Sequence, residues 1–186
     1  MHVIFITLLI LTTEYLSVMK KTAVLLIFLV QTLVSAQSTF PFDVVLTPIT
    51  ISVLPGIQSY AASEHNGKWL IIGGRLDGLH QRQPWQAFDA NGHNTYMYVI
   101  DPVAKTYTQA PLSVFANDSV EAQLSSTNAN FHQIGNLLYI AGGYGLSSTS
   151  VHITHPRLTV IDVPAMITAI TANGTVDTTA YQSVQD

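Results

Sequence analysis

Apolar and polar positions fall into one pattern twice along this chain. An apolar run follows a turn and ends in a double glycine. The first copy is Asn66-Gly67-Lys68-Trp69-Leu70-Ile71-Ile72-Gly73-Gly74 and the second is Gly135-Asn136-Leu137-Leu138-Tyr139-Ile140-Ala141-Gly142-Gly143. Each is followed by another apolar run that stops at an aspartate, Met97-Tyr98-Val99-Ile100-Asp101 and Leu158-Thr159-Val160-Ile161-Asp162. Short apolar runs bounded by turn residues predict strands covered on both faces. Asn66-Gly67 suits a tight hairpin because both positions tolerate positive φ. The glycine pairs mark places where the backbone turns without Cβ crowding.

The flanking pattern fills out a unit of four strands. Ser59 to Glu64 alternates and predicts the strand before the first apolar run. Tyr96 to Ile100 predicts the third strand, Asp101 to Lys105 a turn, and Thr106 to Gln109 the fourth. The second copy starts near Ser126 and runs through Ala129 to Gln133 before its own turn at Gly135-Asn136. Tyr144 to Pro156 reads as a loop, shorter than the first copy's loop from Arg75 to about Asn94. Pro164 to Thr171 predicts a short helix, with proline near its start and Asn173-Gly174 beyond its end. Ile49-Thr50-Ile51-Ser52-Val53 alternates apolar and polar residues and predicts one further half-buried strand. Thr175 to Asp186 is polar and breaks off in mid-pattern.

The N-terminal residues follow a different rule. Met19-Lys20-Lys21, the apolar stretch Ala23 to Val30, and Val34-Ser35-Ala36 have the layout of a secretory signal peptide cleaved before Gln37. Residues 1–18 read either as a second membrane segment or as an over-extended start ahead of Met19, and the second reading is preferred. Each apolar stretch is shorter than the roughly 20 residues of a spanning helix, so no stable membrane anchor is expected.

Charge and composition then exclude several classes. The formal net charge is −4, and past Ala36 the only cations besides histidine are Lys68, Arg75, Arg82, Lys105 and Arg157. That balance argues against a nucleic-acid partner. The chain has no cysteine, which excludes disulfides, thiol catalysis and thiolate metal sites. No Gly-x-Ser-x-Gly elbow, phosphate-binding loop or His-Glu-x-x-His helix occurs.

Four strands with a double glycine after the second resemble the kelch repeat, one blade of a β-propeller. The resemblance rests on Gly73-Gly74, Tyr98 and Asp101-Pro102 in the first copy and on Gly142-Gly143 and Asp162 in the second. The aromatic that the pattern places after the third strand is Tyr107 in the first copy, and the second shows none at that place. The resemblance spans about Ile49 to Ile170. It implies an all-β fold, a partial kelch-type propeller of about two four-stranded blades. Gly74-Arg75-Leu76-Asp77-Gly78-Leu79-His80, Pro84-Trp85 and the signal peptide are similar to exported kelch-type proteins of Gram-negative bacteria. Members of that group often end in a type IX secretion sorting domain, which this chain lacks. Secretion or display at the cell surface is what the resemblance implies. With so few blades, 37–186 is expected to be the N-terminal part of a larger ring. Downstream blades would be its partners, and Ile51 to Pro55 would complete the closing blade.

The Arg75 to His93 loop gathers the residues with chemistry, Arg75, Asp77, His80, Arg82, Trp85 and His93. Trp85 suits stacking on a sugar ring or a peptide, and Arg75 or Arg82 suits pairing with a carboxylate. The same residues also fit a structural role, with Arg75 and Asp77 paired locally and Trp85 and Phe88 folding the loop down. Tyr144 is a further candidate beside the second double glycine. His152 and His155 lie on opposite faces if the segment is extended, which disfavours a shared metal. The expected function is non-catalytic binding or scaffolding, with a glycan or protein as ligand and no cofactor or metal. The alternative is a sugar-modifying enzyme of epimerase or lyase type, with Arg75 and His80 or His93 in acid–base roles. Galactose-oxidase chemistry on such a propeller needs a cysteine that is absent here.

Overall fold

The computed structural model describes residues 15–16, 19–26, 42–78, 88–172 and 178–185. The chain divides into two compact units, Met1–Thr47 and Pro48–Asp186. In the first, residues 19–26 are helical, and the rest of the predicted apolar stretch lies outside the described residues. No helix among the described residues is long and apolar enough to cross a membrane.

The second unit is mostly antiparallel β-structure. Strands β1 (Ala61–His65), β2 (Lys68–Ile72), β3 (Tyr96–Asp101) and β4 (Thr106–Pro111) form a sheet in chain order. Strands β5 (Asn130–Ile134), β6 (Leu137–Ala141), β9 (Arg157–Asp162) and β10 (Tyr181–Gln185) form a second sheet, ordered β5-β6-β9-β10. Between β6 and β9 the chain makes a small hairpin, β7 (Tyr144–Leu146) with β8 (His152–Thr154). Tyr144 to Pro156 is therefore a hairpin and not the loop that the sequence predicts.

The two sheets repeat each other register for register. Ala61 faces Ile72 across β1 and β2, and the matching positions Asn130 and Ala141 face each other across β5 and β6. The single-residue bridge Gln58–Arg75 recurs as Thr127–Tyr144. In the first sheet Ile100 pairs with Tyr107, and in the second Ile161 pairs with Tyr181. Tyr181 thus occupies the aromatic position for which the second copy, read along the sequence, shows no residue. It was displaced by a helix, α2 (Val163–Thr171), inserted where the first sheet has only a turn. The polar tail that breaks off in mid-pattern includes this fourth strand, β10.

One aspartate position governs both connections. Asp101 Oδ1 accepts from the Val103 and Ala104 amides at 3.1 and 2.8 Å, closing a tight turn into β4. Asp162 Oδ1 accepts from the Ala165 amide at 2.9 Å and caps α2, with Pro164 in its first turn. Helix α2 buries Val163, Met166, Ile167 and Ile170 at the first sheet. Each such side chain contributes about 1.5–3 kcal/mol. They join Leu70, Ile72, Met97 and Val99 from the first sheet and Leu138, Ile140 and Ile161 from the second in one core.

A second helix, α1 (Asp118–Leu124), went unpredicted although Asn117 is a strong N-cap with Asp118 and Glu121 in the first turn. Its Gln123 is fully buried yet satisfied. Nε2 donates to the carbonyl of Arg157 at 2.8 Å and to those of Ile140 and Gly142 at 3.3 Å, while Oε1 accepts from Thr159 at 2.6 Å. One amide therefore ties α1 to β6 and β9.

The predicted strand at 49–53 does not form. None of these residues is in a strand or bridge, and Val53 adopts a positive φ of 58° in a turn. Its apolar residues still find cover. Ile51, Leu54 and Ile57 pack on the outer face of the first sheet over Ile71, Tyr98 and Ile100, and the Tyr107 hydroxyl donates to Val53 O at 3.2 Å.

Candidate functional site

The Arg75 to His93 loop leaves the first sheet at the double glycine. Gly74 has φ +87°, and a Cβ there would strike the carbonyl oxygen of Gln58, because the backbone pairs closely with the preceding segment. Arg75 N donates to Gln58 O at 2.9 Å and Gln58 N to Arg75 O at 3.0 Å. On the far side, Leu76 N donates to Gly92 O at 2.9 Å, and Asn94 N donates to Gly74 O at 3.2 Å. Asn94, fully buried, completes the closure by donating Nδ2 to Gly73 O and accepting from Tyr96 N. Departure and return of the loop are thus fastened side by side.

Arg75 is the centre of this base and is only 2% exposed. Nε and Nη2 donate to the two oxygens of Asp77, a bidentate ion pair, and Nη2 also donates to Asp89 O at 2.9 Å. Gly92 leaves room for the pair, since a Cβ there would collide with the guanidinium and the carboxylate. The hydrogen bonds from Arg75 hold the Asp77 carboxyl below its ordinary range.

Aromatic rings extend the base towards the β7–β8 hairpin. The Arg75 guanidinium lies 5.4 Å from the Phe88 ring centroid, a cation–π contact. Phe88 meets Tyr144 edge to face at 4.8 Å, and Tyr144 stacks on His152 at 6.0 Å. His152 Nε2 lies 3.0 Å from Phe88 O, which places a proton on that nitrogen. His93 is half-buried beside this row. Burial, then the positive charge of Arg75, push its imidazole below the ordinary value, so it is neutral at neutral pH.

Among the predicted site residues, Arg75, Asp77, His93 and Tyr144 come together here. His80, Arg82 and Trp85 lie outside the described residues. Arg75 and Asp77 are paired locally, as the structural reading of the sequence expects, while Arg75 Nη1 is buried without a hydrogen-bond partner among the described residues. Phe88, which the structural reading of the loop names, belongs to the site, and Asn94 and His152 join it without a sequence signal for that role. Asn94 is identified by its bonds to Gly73 and Tyr96, and His152 by its contacts with Phe88 and Tyr144, which no local spacing signals. Among the described residues no cluster of three or more histidines and carboxylates is placed to hold a metal ion. What the arrangement can do is hold a loop rigidly at both ends.

No protein-family model matches the chain, and no curated protein is significantly similar to it.

Proposed function

We propose that this chain forms blades of an exported kelch-type β-propeller and serves as a non-catalytic binding module. Its ligand is a glycan or a protein, met by the segment between Asp77 and Phe88. One observation carries the reading. Arg75 clasps Asp77 and Asp89 O at once, so the two ends of the loop are pinned 14 residues apart in sequence. The segment between holds His80, Arg82 and Trp85, an imidazole, a cation and an aromatic suited to hydrogen bonding, ion pairing and stacking. Fixing the two ends of a segment lowers the entropy it loses on binding. The register-for-register repetition of the sheets supports the propeller reading, and the layout of residues 19–36 supports export.

Binding is tested on a glycan array and by pull-down, comparing the parent with Trp85→Ala. Loss of binding with Trp85→Ala supports the module. Intact binding with Trp85→Ala, together with turnover of a sugar acid that His80→Ala abolishes, replaces it with the enzyme reading.

A further inference from the structure

A cleft of about 190 Å³ lies between α1, the β7–β8 hairpin and the adjoining ends of β9 and β10. Its polar lining comes from Ser119, Ser147, Ser148, His155, Arg157 and Gln185, and no acidic side chain among the described residues lines it. At roughly 30 Å³ per water, it holds about six waters or one molecule of a few heavy atoms. It is smaller than the roughly 300–1,000 Å³ of a pocket for drug-sized ligands.

Two features make this more than a surface dent. Arg157 uses its guanidinium on neutral acceptors only, donating Nη1 to Ser183 Oγ at 3.1 Å and Nη2 to Gln185 Oε1 at 2.8 Å. Among the described residues no carboxylate pairs with it, so within them its charge has no counter-ion at the cleft wall. His155 is 5% exposed, and its Nε2 is buried with no hydrogen-bond partner. Buried polar atoms are nearly always paired, and an unpaired one destabilises the fold until a partner is supplied.

We propose that this cleft binds a small hydroxylated carboxylate. The carboxylate pairs with Arg157, its hydroxyls bond to the serine side chains, and one polar atom satisfies His155 Nε2. Burial, then the charge of Arg157, hold the imidazole below its ordinary value and therefore neutral, so it offers a hydrogen bond without a second charge. Arg157 alone then sets the preference for an anion over its neutral analogue.

The test uses the full chain, with glycerate as the acid and glycerol as its neutral counterpart, followed by two-dimensional NMR and calorimetry. Glycerate is expected to bind saturably with Kd on the order of 1 mM, shifting the His155 and Arg157 signals, while glycerol does not. Arg157→Gln, which keeps an amide for Ser183, should weaken glycerate at least tenfold, and Arg157→Lys should keep part of the affinity. Thermal melts of both variants establish that they fold. Lack of saturable binding by glycerate, equal binding of glycerol, or undiminished affinity in folded Arg157→Gln each overturns the proposal.

Discussion

The Gln133 side chain pairs with the peptide of Glu64 through two hydrogen bonds, each 2.8 Å long. Gln133 Oε1 accepts from Glu64 N, and Gln133 Nε2 donates to Glu64 O. The two residues stand 69 positions apart, the same interval that separates Gly74 from Gly143. Equivalent positions of the two repeats therefore touch directly. An amide side chain takes the place of a neighbouring strand at the free edge of β1, and it joins the two sheets.

Gln133→Ala should remove both bonds and leave the Glu64 peptide to water. The site is exposed, so the expected cost is modest, about 0.5–1.5 kcal/mol. Urea unfolding measures it. A midpoint equal to that of the parent would mean that the sheets are joined by apolar packing alone.

Gln123→Leu should cost more, about 1–3 kcal/mol, because the leucine offers no partner to the Arg157 carbonyl or to Thr159 Oγ1 in a buried site. The same measurement applies. If Gln123→Leu proves less damaging than Gln133→Ala, the helix α1 is held by Val120 and Leu124 and not by its amide.

Gly92→Ala should open the loop base. The added methyl displaces the guanidinium or the carboxylate, at about 1–3 kcal/mol. Ligand binding by the segment between Asp77 and Phe88 should weaken in parallel. A variant that keeps both stability and binding would remove the Arg75–Asp77 pair from its organising role.

Stability should fall as the solution is acidified below neutrality. Burial first, and then the charges of Arg75 and Arg157, depress the imidazoles of His93 and His155 below the ordinary 6.5. Folded, both resist protonation, whereas the unfolded chain takes up protons as the pH drops through about 6.5. The stabilisation is complete above that value and declines as the pH falls toward the folded values. Tm should be lower near pH 5.5 than near pH 7.5, and the double substitution His93→Gln with His155→Gln should flatten the slope. Equal Tm values for the parent would contradict this account.

Much of the sheet structure was legible in the sequence. Leu70, Ile72, Leu138 and Ile140 announce their strands because they are apolar over a short span, and the turns beside them carry Asn-Gly or Gly-Asn. The helix at Val163–Thr171 announces itself through Pro164. The strand expected at 49–53 failed because alternation describes burial on one side, and Ile51 and Leu54 meet that need while packing in coil. Tyr181 was invisible as a strand residue because an inserted helix parts it from its partner strand. The site was legible as a loop rich in function-capable residues, but the burial of Arg75 was not. Its partners Asp89 and Phe88 come from the far end of the loop, and sequence distance hides the closure.

The shared aspartate at Asp101 and Asp162 has a consequence for the evolution of this chain. It accepts whatever amides follow it, from a turn in one repeat and a helix in the other, while the strand registers before and after stay matched. Length can therefore be added at that connection without moving any pairing. The position after it serves as a natural splice point, where new segments can be grafted onto one sheet while its neighbour is left unaltered.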